Sequence, residues 1–78
     1  MTLTIMENEK KLDVIVKPEQ RIREVYRILV ENGRFAPPAS SMQLQVYSMR
    51  QQRYINPMLT FRQGNIYEGD VLRINEKG

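Results

Sequence analysis

The chain contains neither cysteine nor histidine. Without cysteine there can be no disulfide framework, no thiolate nucleophile and no zinc–thiolate site. Without histidine, the usual general base at neutral pH and the commonest transition-metal ligand are missing, so a metal site would have to be built from carboxylates alone. The carboxylates themselves, such as Asp13, Glu24 and Asp70, are scattered along the sequence and suggest no acid and base working as a pair. No catalytic residue, cofactor or metal is therefore expected, and an enzyme is the least favoured class. Long apolar runs are also lacking: nothing approaches the stretch of about 18 residues that a membrane-spanning helix needs. The start, MTLTIMENEKK, lacks the basic and then apolar layout of a secretory signal. A cytoplasmic chain without membrane insertion is expected.

What is present fits one compact unit. The 78 residues allow a single domain, residues 1–78, and hydrophobic and charged fractions of 41% and 27% are ordinary for a folded soluble chain. At this length only about 60% of the unfolded surface can be buried, so the core is small and a large internal substrate cavity has little room.

Twelve Lys and Arg stand against nine Asp and Glu, a net charge of +3. Acid is unevenly spread: none lies between Glu31 and Glu68, whereas Arg34, Arg50, Arg53 and Arg62 fall inside that stretch. Either this is a solvated face on which arginine stems cover apolar surface, or it is a docking surface for an acidic partner, protein or nucleic acid. On the nucleic-acid alternative, Tyr47, Tyr54 or Phe61 would be the stacking groups. The four arginines are sparse for that purpose, no lysines cluster with them, and no RNP-type motif is present.

Hydrophobic periodicity sets out the elements. Thr2 to Met6 alternates, with Leu3 and Ile5 on one face, and Leu12 to Val16 continues after a polar Asn8–Lys11 turn, which predicts a hairpin. Lys17-Pro18-Glu19 suits a helix start, because proline at the first turn forfeits no hydrogen bond and glutamate complements the dipole. Ile22, Val25, Tyr26 and Leu29 then form one apolar stripe, and Asn32-Gly33 suits the stop, which predicts a helix over 18–32. Pro37-Pro38 enforces an extended connection. Met42, Leu44 and Val46 alternate with Gln43, Gln45 and Tyr47, so a strand is expected there, followed by a turn over 48–53, a short edge strand at Arg53-Tyr54-Ile55 and a last strand pointing Leu72 and Ile74 inward. Gly64 and Gly69 read as turn glycines with positive φ, Ile66 as a core plug, and Asp70 as an acceptor of turn amide protons. Met6, Met42, Met49 and Met58 read as core or rim packing, although Met49 and Met58 would suit an adaptable contact surface.

The order β-β-α-β-β-β cannot make an alternating parallel stack. It favours an α+β class with a mixed four- to five-stranded sheet on one helix, the first and last strands paired in parallel through a crossover. That is the β-grasp architecture. The chain resembles ubiquitin-like proteins at three places: the hairpin leading into Val16-Lys17-Pro18-Glu19, the Pro37-Pro38 pair, and the tail from Leu59 through Ile66 and Gly69-Asp70 to Ile74. Conjugated modifiers and sulfur carriers of that superfamily end in Gly-Gly, whereas this sequence ends Asn75-Glu76-Lys77-Gly78. Conjugation is not expected unless the C-terminus is processed. With its Ile66, Gly69, Asp70, Leu72 ending, the chain looks like the YukD/EsaB group that accompanies type VII (ESX-like) secretion systems in Gram-positive bacteria. The resemblance implies a non-catalytic, accessory or regulatory interaction module whose partner is a secretion component. It also implies docking through the outer face of the sheet, drawn here from Gln45, Tyr47, Met49, Arg50, Arg53, Tyr54 and Arg73.

Overall fold

A computed structural model describes residues 1–36 and 44–74. It contains β1 (Thr2–Glu7), β2 (Lys10–Ile15), α1 (Ile22–Glu31), β3 (Val46–Ser48), β4 (Arg53–Ile55) and β5 (Val71–Ile74). Pro37-Pro38, the first two residues of the expected Met42–Val46 strand, and the Asn75–Gly78 tail lie outside the described residues.

The five strands make one mixed sheet. Across it they stand in the order β2-β1-β5-β3-β4, which differs from their β-β-α-β-β-β succession along the chain. Strand β1 pairs antiparallel with β2 and parallel with β5, and β3 pairs antiparallel with both β5 and β4. The β1–β2 hairpin closes tightly because Asn8 adopts φ 56°, a conformation asparagine tolerates better than most residues. Alternation sends Leu3, Ile5, Val46, Ile55, Leu72 and Ile74 to one face, where they share a core with Ile22, Val25 and Tyr26 of α1. Leu29 and Leu44 pack against that core half-buried. Among the described residues, no helix is long and apolar enough to cross a membrane.

Several local expectations are corrected. The helix begins at Ile22, four residues later than the proline suggests, with Arg21 extended at φ −79°, ψ 143° as its N-cap. The delay comes from competing backbone partners. Gln20 closes a turn on Lys17, its N–H donating to the Lys17 carbonyl at 3.0 Å and its Oε1 accepting from the Lys17 N–H at 2.8 Å. Arg62 and Phe61 then donate their N–H groups to the carbonyls of Pro18 and Gln20, so residues 18–21 bind the 57–62 segment instead of coiling. That segment repays the helix: Leu59 and Pro57 offer carbonyls, each at 3.0 Å, to the N–H groups of Ile22 and Arg23. Two of the donors every helix leaves unsatisfied at its start are thereby paired without a capping side chain. The end follows the sequence closely, with Gly33 at φ 72° and the Arg34 N–H donating to the Leu29 carbonyl at 2.8 Å.

The third strand runs Val46–Ser48, and Leu44 and Gln45 precede it. Its position follows its partners, since Val46 lies opposite Ile74 and Ser48 opposite Leu72. Ser48 was expected to turn; it is a fully buried strand end whose Oγ accepts the Gln51 N–H at 3.2 Å. Gly69 has the positive φ expected of it, 82°, but the left-handed residue of the preceding turn is Asn65, at 56°. Gly64 is needed for a steric reason instead: a Cβ there would stand 2.9 Å from Ile55 Cγ2. Phe61, considered above as a stacking group, is wholly buried and cannot reach a base.

Candidate functional site

The face of the sheet turned away from α1 is assembled from the outward positions of five strands. At one end β3, β4 and β5 bring three of the expected docking residues side by side, because Tyr47 lies opposite Tyr54 on β4 and opposite Arg73 on β5. The two tyrosine rings meet edge to face with centroids 5.1 Å apart, a geometry that places the positive ring edge on the partner's negative face. Met49 continues the alternation beyond β3, and its sulfur lies 4.0 Å from a terminal guanidinium nitrogen of Arg73. Tyr54 and Met49 are exposed, and Tyr47 and Arg73 are half-buried. The result is a ledge of aromatic rings, a polarisable thioether and a cation. Gln45 is exposed two residues before Tyr47.

Arg50 and Arg53 do not join this ledge. Arg53 pairs with Ser48 and so occupies the opposite parity from its neighbour Tyr54. Arg50 is committed elsewhere: its Nε donates to Asp70 Oδ2 at 3.4 Å, a terminal nitrogen donates to the Asn65 carbonyl, and its guanidinium lies 4.7 Å over the Tyr67 ring. Gln51 reinforces the same junction, its side-chain amide donating to the carbonyls of Gly64 at 2.8 Å and Asn65 at 3.1 Å. Met6, which the sequence groups with the core or rim methionines and not with the docking residues, belongs on the ledge. Met6 lies opposite Arg73 in the parallel β1–β5 register, and only that register, which alternation does not set, reveals it.

The acid-free stretch loses much of its charge on folding. Arg62 meets Glu19 at 2.8 Å and Arg50 meets Asp70, both acids coming from outside the stretch. Arg34 and Arg53 remain exposed without an ion pair among the described residues. No group of three acids that could hold a metal ion occurs among the described residues. Against known proteins, no family model matches the chain and no curated protein matches it.

Proposed function

We propose that the chain is a ubiquitin-like, β-grasp interaction module of the YukD/EsaB type: a non-catalytic accessory or regulatory component of a type VII secretion system, acting unconjugated by docking a protein partner on the outer sheet face. The fold supports the β-grasp reading through the one helix among the described residues and through the adjacent, parallel strands β1 and β5. The observation that carries the docking is the Tyr47, Tyr54, Arg73 and Met49 ledge. Tyrosine and arginine supply large contact area at modest entropic cost and are over-represented among the anchors of protein interfaces. The nucleic-acid alternative draws less support, with Phe61 buried and two of its four arginines already paired.

The experiment is a binding titration against the cytosolic domain of the secretion ATPase from the same cell. Tyr47→Ala should weaken binding by at least about 30-fold, the minimum effect of an anchor residue, about 2 kcal/mol. Arg34→Glu, at a site remote from the ledge, should change it less than about threefold. Equal losses from both would remove the ledge as the docking site. Submicromolar binding to an RNA pool at physiological salt, lost in Arg34→Glu/Arg53→Glu, would replace the proposal with its alternative.

A further inference from the structure

The two edges of the sheet differ. Strand β4 has three residues and is followed closely by Pro57, which blunts it, whereas β2 has six and carries no proline. The groups that β2 leaves open follow from the hairpin. Met1 and Val16 exchange both backbone hydrogen bonds, Val16 N–H to Met1 carbonyl at 2.8 Å and Met1 amine to Val16 carbonyl at 3.0 Å. By the antiparallel alternation, Val14, Leu12 and Lys10 likewise address β1, and the N–H and C=O groups of Lys11, Asp13 and Ile15 point away from the sheet. Their side chains share the outer face, where Ile15 is 85% exposed.

Among the described residues, the charges on this edge have no ion-pair partner. Lys10 is turned onto the Phe35 ring, its ammonium 5.3 Å from the centroid. Lys11 and Asp13 are both exposed, and neither has an ion pair among the described residues; Asp13 only accepts a hydrogen bond from Thr4 Oγ1 at 2.7 Å. Lysine on an open edge ordinarily deters a passing strand. Here an acid two residues away supplies the answering charge for one particular visitor, a second copy of β2.

We infer that two copies of the protein pair antiparallel through β2, about a two-fold axis at Leu12, with Lys11 opposite the second copy's Asp13 and Asp13 opposite the second copy's Lys11. Both opposed residues direct their backbone groups outward, so this register makes four strand-to-strand hydrogen bonds and two opposite-charge cross-strand pairs while setting Leu12 against Leu12 on the core side. The neighbouring registers are worse. Centring on Asp13 opposes two carboxylates, centring on Lys11 opposes two ammonium groups, and centring on Val14 sets Lys11 against Lys17. Centring on Ile15 requires the Lys17 N–H and carbonyl, both already engaged by Gln20. The pair is one continuous ten-stranded sheet. Because the axis is perpendicular to it, both Tyr47–Tyr54 pairs lie on the same outer face, three and four strands from the seam, and free to dock.

So short an interface belongs to the weak, small-area class, with Kd expected between about 10 μM and 1 mM. Sedimentation equilibrium of the full chain up to about 1 mM tests it with Lys11→Asp, Asp13→Lys and Lys11→Asp/Asp13→Lys. The wild type should dimerise, and each single variant, now opposing like charges, should dimerise at least about tenfold more weakly. The double variant should regain the wild-type constant, and an equimolar mixture of the two single variants should form a heterodimer, which also shows that both are folded. A wild type that stays monomeric throughout, single variants that dimerise undiminished, or a mixture that fails to associate would each overturn the inference.

Discussion

The Phe61→Ala variant should lose about 3 to 5 kcal/mol of stability, against a total of about 4 to 12 kcal/mol for a domain of this length. It should be largely unfolded at 37 °C, or unfold at a far lower urea midpoint. The ring is 0% exposed and the largest side chain so completely enclosed, so truncation opens a cavity that its neighbours can only partly fill. Its location adds to the cost. The Phe61 N–H donates to the Gln20 carbonyl at 3.1 Å, and its own carbonyl accepts from the Ile66 N–H at 3.0 Å. The ring thus anchors the segment whose Pro57 and Leu59 carbonyls receive the first N–H groups of α1. Loosening that segment releases the start of the helix as well. Tyr54→Ala is the control, since its ring is mostly solvated and should cost under about 1 kcal/mol. Phe61→Leu should recover much of the loss. A Phe61→Ala midpoint near that of the wild type would contradict the packing around this ring.

Phe61 also shows where a sequence stops being informative. The hairpin, the helical stripe and the last strand are legible because alternation and the three-to-four spacing report which side of an element meets the core. Phe35 and Phe61 lie in irregular segments, where no period distinguishes a buried ring from an exposed one. Pro18 misleads for a related reason. Proline is as compatible with a turn as with a helix start, and the choice was made by carbonyls and amides about 40 residues further along the chain. Charge behaves in the same way: Glu19 and Asp70 are distant in sequence from the arginines they neutralise. In the docking ledge, Tyr47 and Tyr54 were legible as outward strand positions. The exclusion of Arg53 was legible too, since consecutive strand residues face opposite ways. The diversion of Arg50 and the inclusion of Met6 were not, because each depends on a pairing partner from another part of the chain.

Arg50→Met should cost about 2 kcal/mol, and adding Asp70→Asn to it should restore part of that loss. The Asp70 side chain is 0% exposed, and besides Arg50 its carboxylate accepts the Val71 N–H at 2.9 Å. Removing the guanidinium leaves an enclosed carboxylate without its cation, the costly way to break a buried pair. The arginine is 47% exposed, so solvent screens the interaction and the figure stands below the 3 to 5 kcal/mol typical of a wholly buried pair. The reverse substitution is milder. Asp70→Asn keeps an oxygen for the Val71 N–H and removes the buried charge, while Arg50 remains free to hold the Asn65 carbonyl and cover Tyr67; about 1 kcal/mol is expected. Because the damage in Arg50→Met comes from the charge left behind, the double variant should be more stable than the sum of the two single losses requires, by about 2 kcal/mol, which leaves it a loss of only about 1 kcal/mol. Urea unfolding of the four proteins measures this directly. Losses that simply add would mean that Arg50 and Asp70 contribute separately, and that the β3–β4 turn is held to residues 64–70 by Gln51 and the backbone instead.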